Sequence, residues 1–262
     1  MFHLCPLVGA GADVTSYVKR LQLQTRSFPH HAVGPARSQY QPRLTRNYEI
    51  AALRGDGSVA TSLKKAVAYP LLDSAFSAFA QGALMKTPDG TVAIEDLQPG
   101  DFLNTSAGKP AQILWIGSTV FAPNARTKLV RVMADSFGPA RPASFVTVGP
   151  SARLLQTTAS MRCISSGAPL LTPAADFVDN VNVIEVTPPT PIRLFHVCLT
   201  RHAAVNVGGI EMETFHPGMA GARHISHADR DYFLSMFPHI SHIADFGPLA
   251  HPRAPESGIQ AA

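Results

Sequence analysis

Residues 78 to 103 read AFAQGALMKTPDGTVAIEDLQPGDFL, and two turn motifs divide this stretch. Pro88-Asp89-Gly90 and Pro99-Gly100-Asp101 each combine a proline, which fixes φ, with a glycine, which permits a positive φ. Apolar runs at residues 92–94, 102–103 and 113–116 are too short for helices and are bounded by turn residues. We therefore expect a compact β element here.

The order of residues in this stretch resembles the opening of a Hint module, the autoprocessing domain shared by hedgehog proteins and inteins. The resemblance rests on an aromatic residue, a glycine, a threonine before a turn and two further motifs: Phe79, Gly82, Thr87, Ile94-Glu95-Asp96-Leu97 and Pro99-Gly100-Asp101. It is strongest to the short bacterial Hint-domain proteins. It implies an all-β fold, a flattened module of two pseudo-symmetric halves.

The resemblance also implies where the family's reactive groups would stand. In the family, a cysteine directly before the aromatic residue attacks the preceding peptide bond, and Ala78 occupies that position. A second block has a Thr or Ser and, three residues later, a histidine that assists the acyl shift; here these positions hold Gly149 and Ala152. The flanking Pro150 and Arg153-Leu154-Leu155 still fit the pattern. The resemblance therefore implies a degenerate site with none of its catalytic groups intact.

Residues 203–218 resemble the closing block of the family, in which inteins place a His-Asn pair whose asparagine cyclises. Glu213 and Thr214 stand at those positions, and the chain continues beyond them. Protein splicing is therefore not predicted, and the arrangement is closer to the hedgehog type, which uses only the upstream bond. His202 is similar in placement to the family's block histidine, but a strand-end histidine bonded to backbone is the alternative that we favour.

Two other residues could supply a nucleophile. Ser77 precedes Ala78, but adjacent side chains of an extended chain point to opposite sides, so we expect an ordinary surface or turn serine. Residues 192–199 are predicted to form a strand in which Cys198 shares a face with His196, and we expect both faces of that strand to be at least partly buried. This pattern favours an inert, buried thiol over a reactive thiolate.

The composition is that of a soluble globular protein with a large core. The 262 residues are 45% hydrophobic and 15% charged, and 22 prolines with 19 glycines favour short strands and loops over a helical bundle. The three cysteines form no C-x-x-C pair, so neither a disulfide scaffold nor a zinc ribbon is expected. No secretory signal or membrane-spanning stretch is predicted, which makes the cytoplasm the default location, although export without an N-terminal signal stays open.

Positive charge is concentrated at the N-terminus. Residues 1–46 contain six basic side chains and one acidic one, whereas the rest of the chain is close to neutral. A basic arm can bind nucleic acid or acidic lipid, but here the charges are dispersed singly and no stacking platform accompanies them. We expect a solvated leader, with no nucleic-acid or membrane partner.

The pattern divides the chain into four parts: an irregular basic arm (1–45), a β-hairpin extension (46–72), a Hint-like domain (73–218) and a helical and loop tail (219–262). The hairpin joins residues 47–53 to 58–69 through a glycine-rich turn and should pack on the Hint-like domain. Leu72, Phe76 and Phe79 have the spacing of one or two helical turns between these parts.

The tail contains a helix candidate and several histidines. Ser226 is a plausible N-cap with Asp229 three positions later, followed by an apolar stripe of Tyr232, Phe233, Met236 and Phe237. We expect this stripe to dock on the core, with a partner-binding face as the alternative. The repeated tetrapeptides His224-Ile-Ser-His227 and His239-Ile-Ser-His242 raise the question of a metal, but nothing in the sequence brings these histidines together. No metal or cofactor is expected.

Two classes of function remain open. In the first, the chain is a catalytically inactive relative of the self-cleaving domains, and its Hint-like domain is a structural or interaction module with an unknown protein partner. In the second, the chain cleaves itself near residues 77–78 by an acyl shift with a non-standard nucleophile. The joint loss of the thiol and of its histidine favours the first class. The oligomeric state is not predicted.

Overall fold

The structure is a computed structural model, and it describes residues 44–122, 128–159, 168–218 and 226–255. All of these residues belong to one compact unit. Most of the predicted basic arm lies outside the described residues, as does His224.

Short strands dominate the described part of the chain. They are β1 (Thr45–Leu53), β2 (Val59–Val67), β3 (Phe79–Ala80), β4 (Leu84–Thr87), β5 (Gly90–Ala93), β6 (Phe102–Asn104), β7 (Pro110–Phe121), β8 (Leu129–Val132), β9 (Val146–Val148), β10 (Arg153–Leu155), β11 (Leu171–Pro173), β12 (Val183–Val186), β13 (Ile192–Leu199), β14 (Ala204–Val207) and β15 (Ile210–Glu213). The α-helices are α1 (Pro70–Ser74) and α2 (His227–Leu234), and 3-10 turns cover Ile94–Asp96, Ala174–Phe177 and Ile243–Phe246. The predicted all-β class is confirmed.

The described strands form two sheets. The larger has the order β12-β8-β9-β3-β13-β7-β1-β2, with β6 pairing to β7 beside this path. The smaller has the order β11-β10-β15-β14-β4-β5. Because strands distant in sequence are neighbours in both sheets, the opening and closing parts of the chain meet inside the same fold.

The predicted hairpin is confirmed, and it extends the larger sheet. β1 and β2 pair antiparallel from Thr45↔Val67 to Leu53↔Val59. β1 also pairs with β7 from Tyr48↔Thr119 to Ala52↔Trp115. The hairpin is therefore stabilised by the Hint-like part of the chain, as expected for a hairpin that is marginal alone.

Most predicted strands lie where the sequence placed them, and β13 has the predicted bounds. The helical interpretation of residues 72–79 is wrong beyond Ser74, because Phe79 pairs with Phe195 and Val148 as part of β3. Sheet pairing outweighs the helical spacing of three apolar residues in so short a segment. Ile94 begins a 3-10 turn and does not end a strand.

Two hydrophobic cores lie on opposite faces of β13. The first core is packed between the two sheets and includes Phe79, Met85, Ile113, Phe195, Val197, Val205 and Met212. The second core joins Tyr48, Ile50, Ala52, Ala66, Leu72, Ala75 and Phe76 to Trp115, Cys198, Phe215, Phe233, Met236, Phe237 and Phe246. The alternation predicted for β13, with both faces buried, follows from this position between two cores.

The tail helix α2 docks on the second core. The Ser226 hydroxyl accepts a hydrogen bond from the Asp229 N–H at 3.1 Å, which confirms the predicted N-cap. Phe233 and Phe237 are buried, and Trp115 Nε1–H donates to the Met236 carbonyl at 2.7 Å. Tyr232 is more exposed than predicted, and its hydroxyl donates to the Lys65 carbonyl at the edge of β2. Neither α1 nor α2 is long and apolar enough to cross a membrane.

Candidate functional site

The Ser77–Ala78 junction lies between α1 and β3, at the place of the family's cleaved bond. The Ala78 N–H donates to the Phe195 carbonyl at 2.9 Å, and the Ala78 carbonyl accepts from the Gly149 N–H at 2.8 Å. The Ala78 methyl group is buried in the first core. The backbone at the junction is therefore held from both sides, by β13 and by the segment after β9.

The second block lies directly against the Ser77 carbonyl. The Ser151 N–H donates to this carbonyl at 3.2 Å. A Cβ at Gly149 would lie 2.7 Å from the Ser77 carbonyl carbon and would overlap the carbonyl oxygen. Position 149 therefore has no room for the hydroxyl side chain of the family pattern, because two backbone segments touch at this point.

The Ser77 side chain is not the surface serine that we expected, since it is only 1% exposed. Its hydroxyl donates to the Asp73 carbonyl at 2.7 Å and lies 3.1 Å from the Ser151 hydroxyl. The last turn of α1 covers it, which the sequence did not reveal. Neither of these bonds is made to a histidine or a carboxylate, so neither partner is a base able to activate the oxygen.

Ala152 stands where the family has its assisting histidine. Its side chain is buried in the first core, its N–H donates to the Gly149 carbonyl and its carbonyl accepts from the Ala174 N–H. The structure thus brings Ser77, Ala78, Gly149 and Ala152 together, as the resemblance implies. The junction is contacted by apolar side chains, backbone groups and the Ser151 hydroxyl.

His196 lies on β13 directly after Phe195, whose carbonyl accepts the hydrogen bond from the Ala78 N–H. Its ring centroid lies 5.3 Å from that of Phe79 and 5.4 Å from that of Phe215, both in edge-to-face geometry. Burial lowers the pKa of His196 to about 3, so the ring is neutral at pH 7. Burial also raises the pKa of the Cys198 thiol, which suits the unreactive cysteine predicted from the alternation.

His202 belongs to a separate polar cluster at the closing block. Its Nδ1 accepts from the Ala250 N–H at 2.9 Å, which places the ring proton on Nε2, and Nε2 lies 3.1 Å from Glu213 Oε1. The predicted backbone bond is thus present, but the Glu213 partner was missed. None of these bonds reaches the junction.

Glu213 is the buried centre of this cluster. Arg253 Nε lies 2.9 Å from its Oε1, and Arg153 Nε lies 3.7 Å from its Oε2. Burial raises the pKa of Glu213, but the hydrogen bond to His202 and the charge of Arg253 outweigh burial, so that the pKa lies below its ordinary value. A carboxylate 40 residues from Arg253 in sequence gives no local signal of this contact.

Thr214, at the position of the inteins' asparagine, is fully engaged. Its N–H and its hydroxyl both donate to the Ala203 carbonyl, at 2.9 and 3.0 Å, and its hydroxyl oxygen accepts from the Ala203 N–H. Its side chain therefore joins the end of β15 to the start of β14 and has no carboxamide with which to cyclise.

Two of the described tail histidines, His242 and His251, have separate partners. His242 caps the last 3-10 turn, and His251 Nε2 lies 3.2 Å from the Ser106 hydroxyl. Burial lowers the pKa of His239 to about 4. Within the described ranges, no three His, Cys, Asp or Glu side chains converge as metal ligands would.

Comparison with known proteins identifies the class. The family model of the Hint domain matches residues 77–219, more than half of the chain, and begins at Ser77 itself. The chain therefore belongs to the Hint domain family, which is related to self-processing domains, and has the Hint fold.

The solved structures to which this chain is similar are distant from it in sequence. A bacterial intein-like domain from Clostridium thermocellum is 11% identical, with a TM-score of 0.37, over 53% of this chain and 99% of that one. The MchDnaB-1 intein is 14% identical, with a TM-score of 0.33, over 52% and 98% of the two chains. No curated protein matches the sequence.

Proposed function

We propose that this chain is a non-cleaving member of the Hint family, whose domain serves as a structural or interaction module. The observation that carries the proposal is the second core, in which side chains before the junction, such as Tyr48 and Phe76, pack against side chains after it, such as Trp115 and Phe237. The segment upstream of the junction is thus part of the domain and is not positioned for release.

The chemistry of the junction supports the same conclusion. An acyl shift needs a thiol or hydroxyl at the residue after the scissile bond and a base to assist it. Ala78 supplies no lone pair, Ala152 supplies no base, and the Ser77 hydroxyl is bonded to a backbone carbonyl. Loss of a nucleophile alone lowers a catalysed rate by several orders of magnitude.

The test is an intact-mass measurement of the purified full chain after long incubation, with and without a thiol or hydroxylamine. We expect a single species at the full 28.0 kDa under all conditions. Fragments that end at Ser77 and begin at Ala78 would contradict the proposal and support self-processing by a non-standard nucleophile.

A positive control restores the two missing groups as Ala78→Cys with Ala152→His, and Ala78→Cys alone is the matched variant. We expect thiol-dependent cleavage in the double variant and much less in the single one, because the histidine assists the shift. If both variants stay intact, the close contact at Gly149 has also changed the shape of the site.

A further inference from the structure

Residues 247–255, which we call the strap, lie along the edge of the smaller sheet like a bound peptide. The Leu171 N–H donates to the Pro252 carbonyl at 2.9 Å, and the Ala254 N–H donates to the Leu171 carbonyl at 3.0 Å. Leu171 and Arg253 thus form a parallel β-bridge at the free edge of β11. The strap adds a short strand to an existing sheet, a mode by which many domains bind extended peptides.

One side chain of the strap enters a built pocket. Arg253 Nε donates to Glu213 Oε1 at 2.9 Å, and Arg253 Nη2 donates to the His216 carbonyl at 2.7 Å. A Cβ at Gly218 would overlap the Arg253 guanidinium, and Gly218 has a φ of +70°, so a glycine there leaves the room that the arginine needs. We call Glu213, His216 and Gly218 the arginine pocket.

Burial of the strap is concentrated near its C-terminal end. Ala254 is buried at 4% exposure and His251 and Arg253 are partly covered, whereas the other six residues, including Leu249 at 37%, are exposed. The Ala250 N–H donates a hydrogen bond to His202 Nδ1, and His202 Nε2 in turn contacts the Glu213 carboxylate. Backbone groups thus fix the register of the strap, while the pocket accepts the side chain of one residue.

We infer that the β11 edge and the arginine pocket form a recognition site for an extended peptide with an arginine followed by a small residue, and that the strap is its resident occupant. The inference deepens the proposed interaction module and rests on it. The site is built on Glu213, which stands where an intein's closing histidine would be. In inteins this block takes part in release of the downstream segment, whereas here Glu213 binds Arg253 of the downstream segment.

The geometry selects arginine over lysine. The guanidinium presents two donors in a fixed plane, one to a carboxylate and one to a carbonyl, whereas an ammonium is a point charge on a flexible stem. Replacing the arginine by lysine keeps the charge but loses one of the two aligned bonds. We expect binding to weaken about 10-fold for that change.

The experiment is a fluorescence-anisotropy titration with a labelled nine-residue peptide of the strap sequence GPLAHPRAP. The protein is the full chain with Arg253→Ala, whose own strap is weakened as a competitor. The wild-type chain is titrated beside it, and we expect its tethered strap to weaken peptide binding at least about 10-fold, since tethering gives an effective concentration of about millimolar. Full-chain Arg253→Lys serves as a second host if the alanine variant unfolds.

Two controls test the pocket itself. The peptide with lysine for arginine should bind about 10-fold more weakly, and the variant Glu213→Gln with Arg253→Ala should lose most of its binding. The inference is overturned if the strap peptide fails to bind a folded host, or if the two peptides bind equally. Intact mass decides the proposed function separately, so a failure of peptide binding leaves the non-cleaving assignment in place.

Discussion

At the scale of single residues, Gly149 lies at the contact between the second block and the Ser77–Ala78 junction. In this structure its Cα lies against the Ser77 carbonyl, and its N–H is bonded to Ala78. The family's hydroxyl residue cannot occupy the position without a shift of one backbone segment, because the obstacle is backbone and not a flexible side chain. The space that a side chain at position 149 would need is therefore occupied by the Ser77 backbone.

We predict that Gly149→Ala destabilises the protein by about 1–3 kcal/mol, the usual cost of overpacking a close contact. The matched control is Gly55→Ala, because no atom lies within 4 Å of a Cβ at Gly55 and no positive φ is found there. Urea unfolding measures both variants. Equal midpoints for the two variants would show that the backbone contact at position 149 is looser than described.

At the scale of elements, β13 is a mostly apolar strand that contains one buried histidine, His196. Leu194, His196 and Cys198 face one way along this strand, while Phe195 and Val197 face the first core. Both faces are buried, so the His196 ring has no access to water and stays neutral between Phe79 and Phe215. The strand carries a titratable group that must not be charged in the folded state.

The stability of the fold should therefore depend on pH through β13. The pKa of His196 is about 3 in the folded chain and about 6.5 when unfolded, so its contribution is complete above pH 6.5 and is lost as the pH falls towards 3. Burial likewise lowers the pKa of His216 and His239, which act in the same direction.

We predict that His196→Phe, which keeps an aromatic ring, makes the loss of stability between pH 6.5 and 4 shallower than in the wild type. His227→Asn is the control, because His227 is exposed on α2. Thermal melts across this pH range measure the slopes. An unchanged slope in the phenylalanine variant would mean that His196 is not the main acid-sensitive group.

At the scale of the whole molecule, the hairpin, the Hint domain and the tail share one core. Phe237 of the tail lies 4.6 Å from Trp115 of β7 between ring centroids, and Tyr48 of the hairpin lies 4.7 Å from Phe76. Lys64 Nζ on the hairpin donates to the Ser235 carbonyl of the tail. The three parts are therefore expected to unfold together.

We predict that Phe237→Ala costs about 3–5 kcal/mol, the range for truncating a buried aromatic residue. It should lower amide exchange protection in β1 as well as in α2, because both rely on the second core. Trp115, the only tryptophan, reports opening of that core through its emission. Val181→Ala, at a side chain 74% exposed, should change neither readout. Loss of protection confined to α2 would show that the tail is an independent appendage.

Features of the site that depend on residues close together in sequence could be predicted, whereas contacts between segments distant in sequence could not. The absence of reactive groups at Ala78 and Ala152 is visible directly in the chain, and the N-cap at Ser226 needs a partner only three residues away. The hydroxyl contact between Ser77 and Ser151 joins residues 74 apart in sequence, and the contact of Gly149 with the Ser77 carbonyl joins the same two segments. No periodicity or motif records contacts of that range.

The sequence by itself determined the Hint family, the all-β class and the bounds of β13, because turn chemistry and alternation act over a few residues. Only the tertiary structure decided that the upstream hairpin shares a core with the tail and that Glu213 receives Arg253. The physical reason is that packing and charge pairing depend on which distant segments the sheets bring together, and strand order is a property of the whole fold.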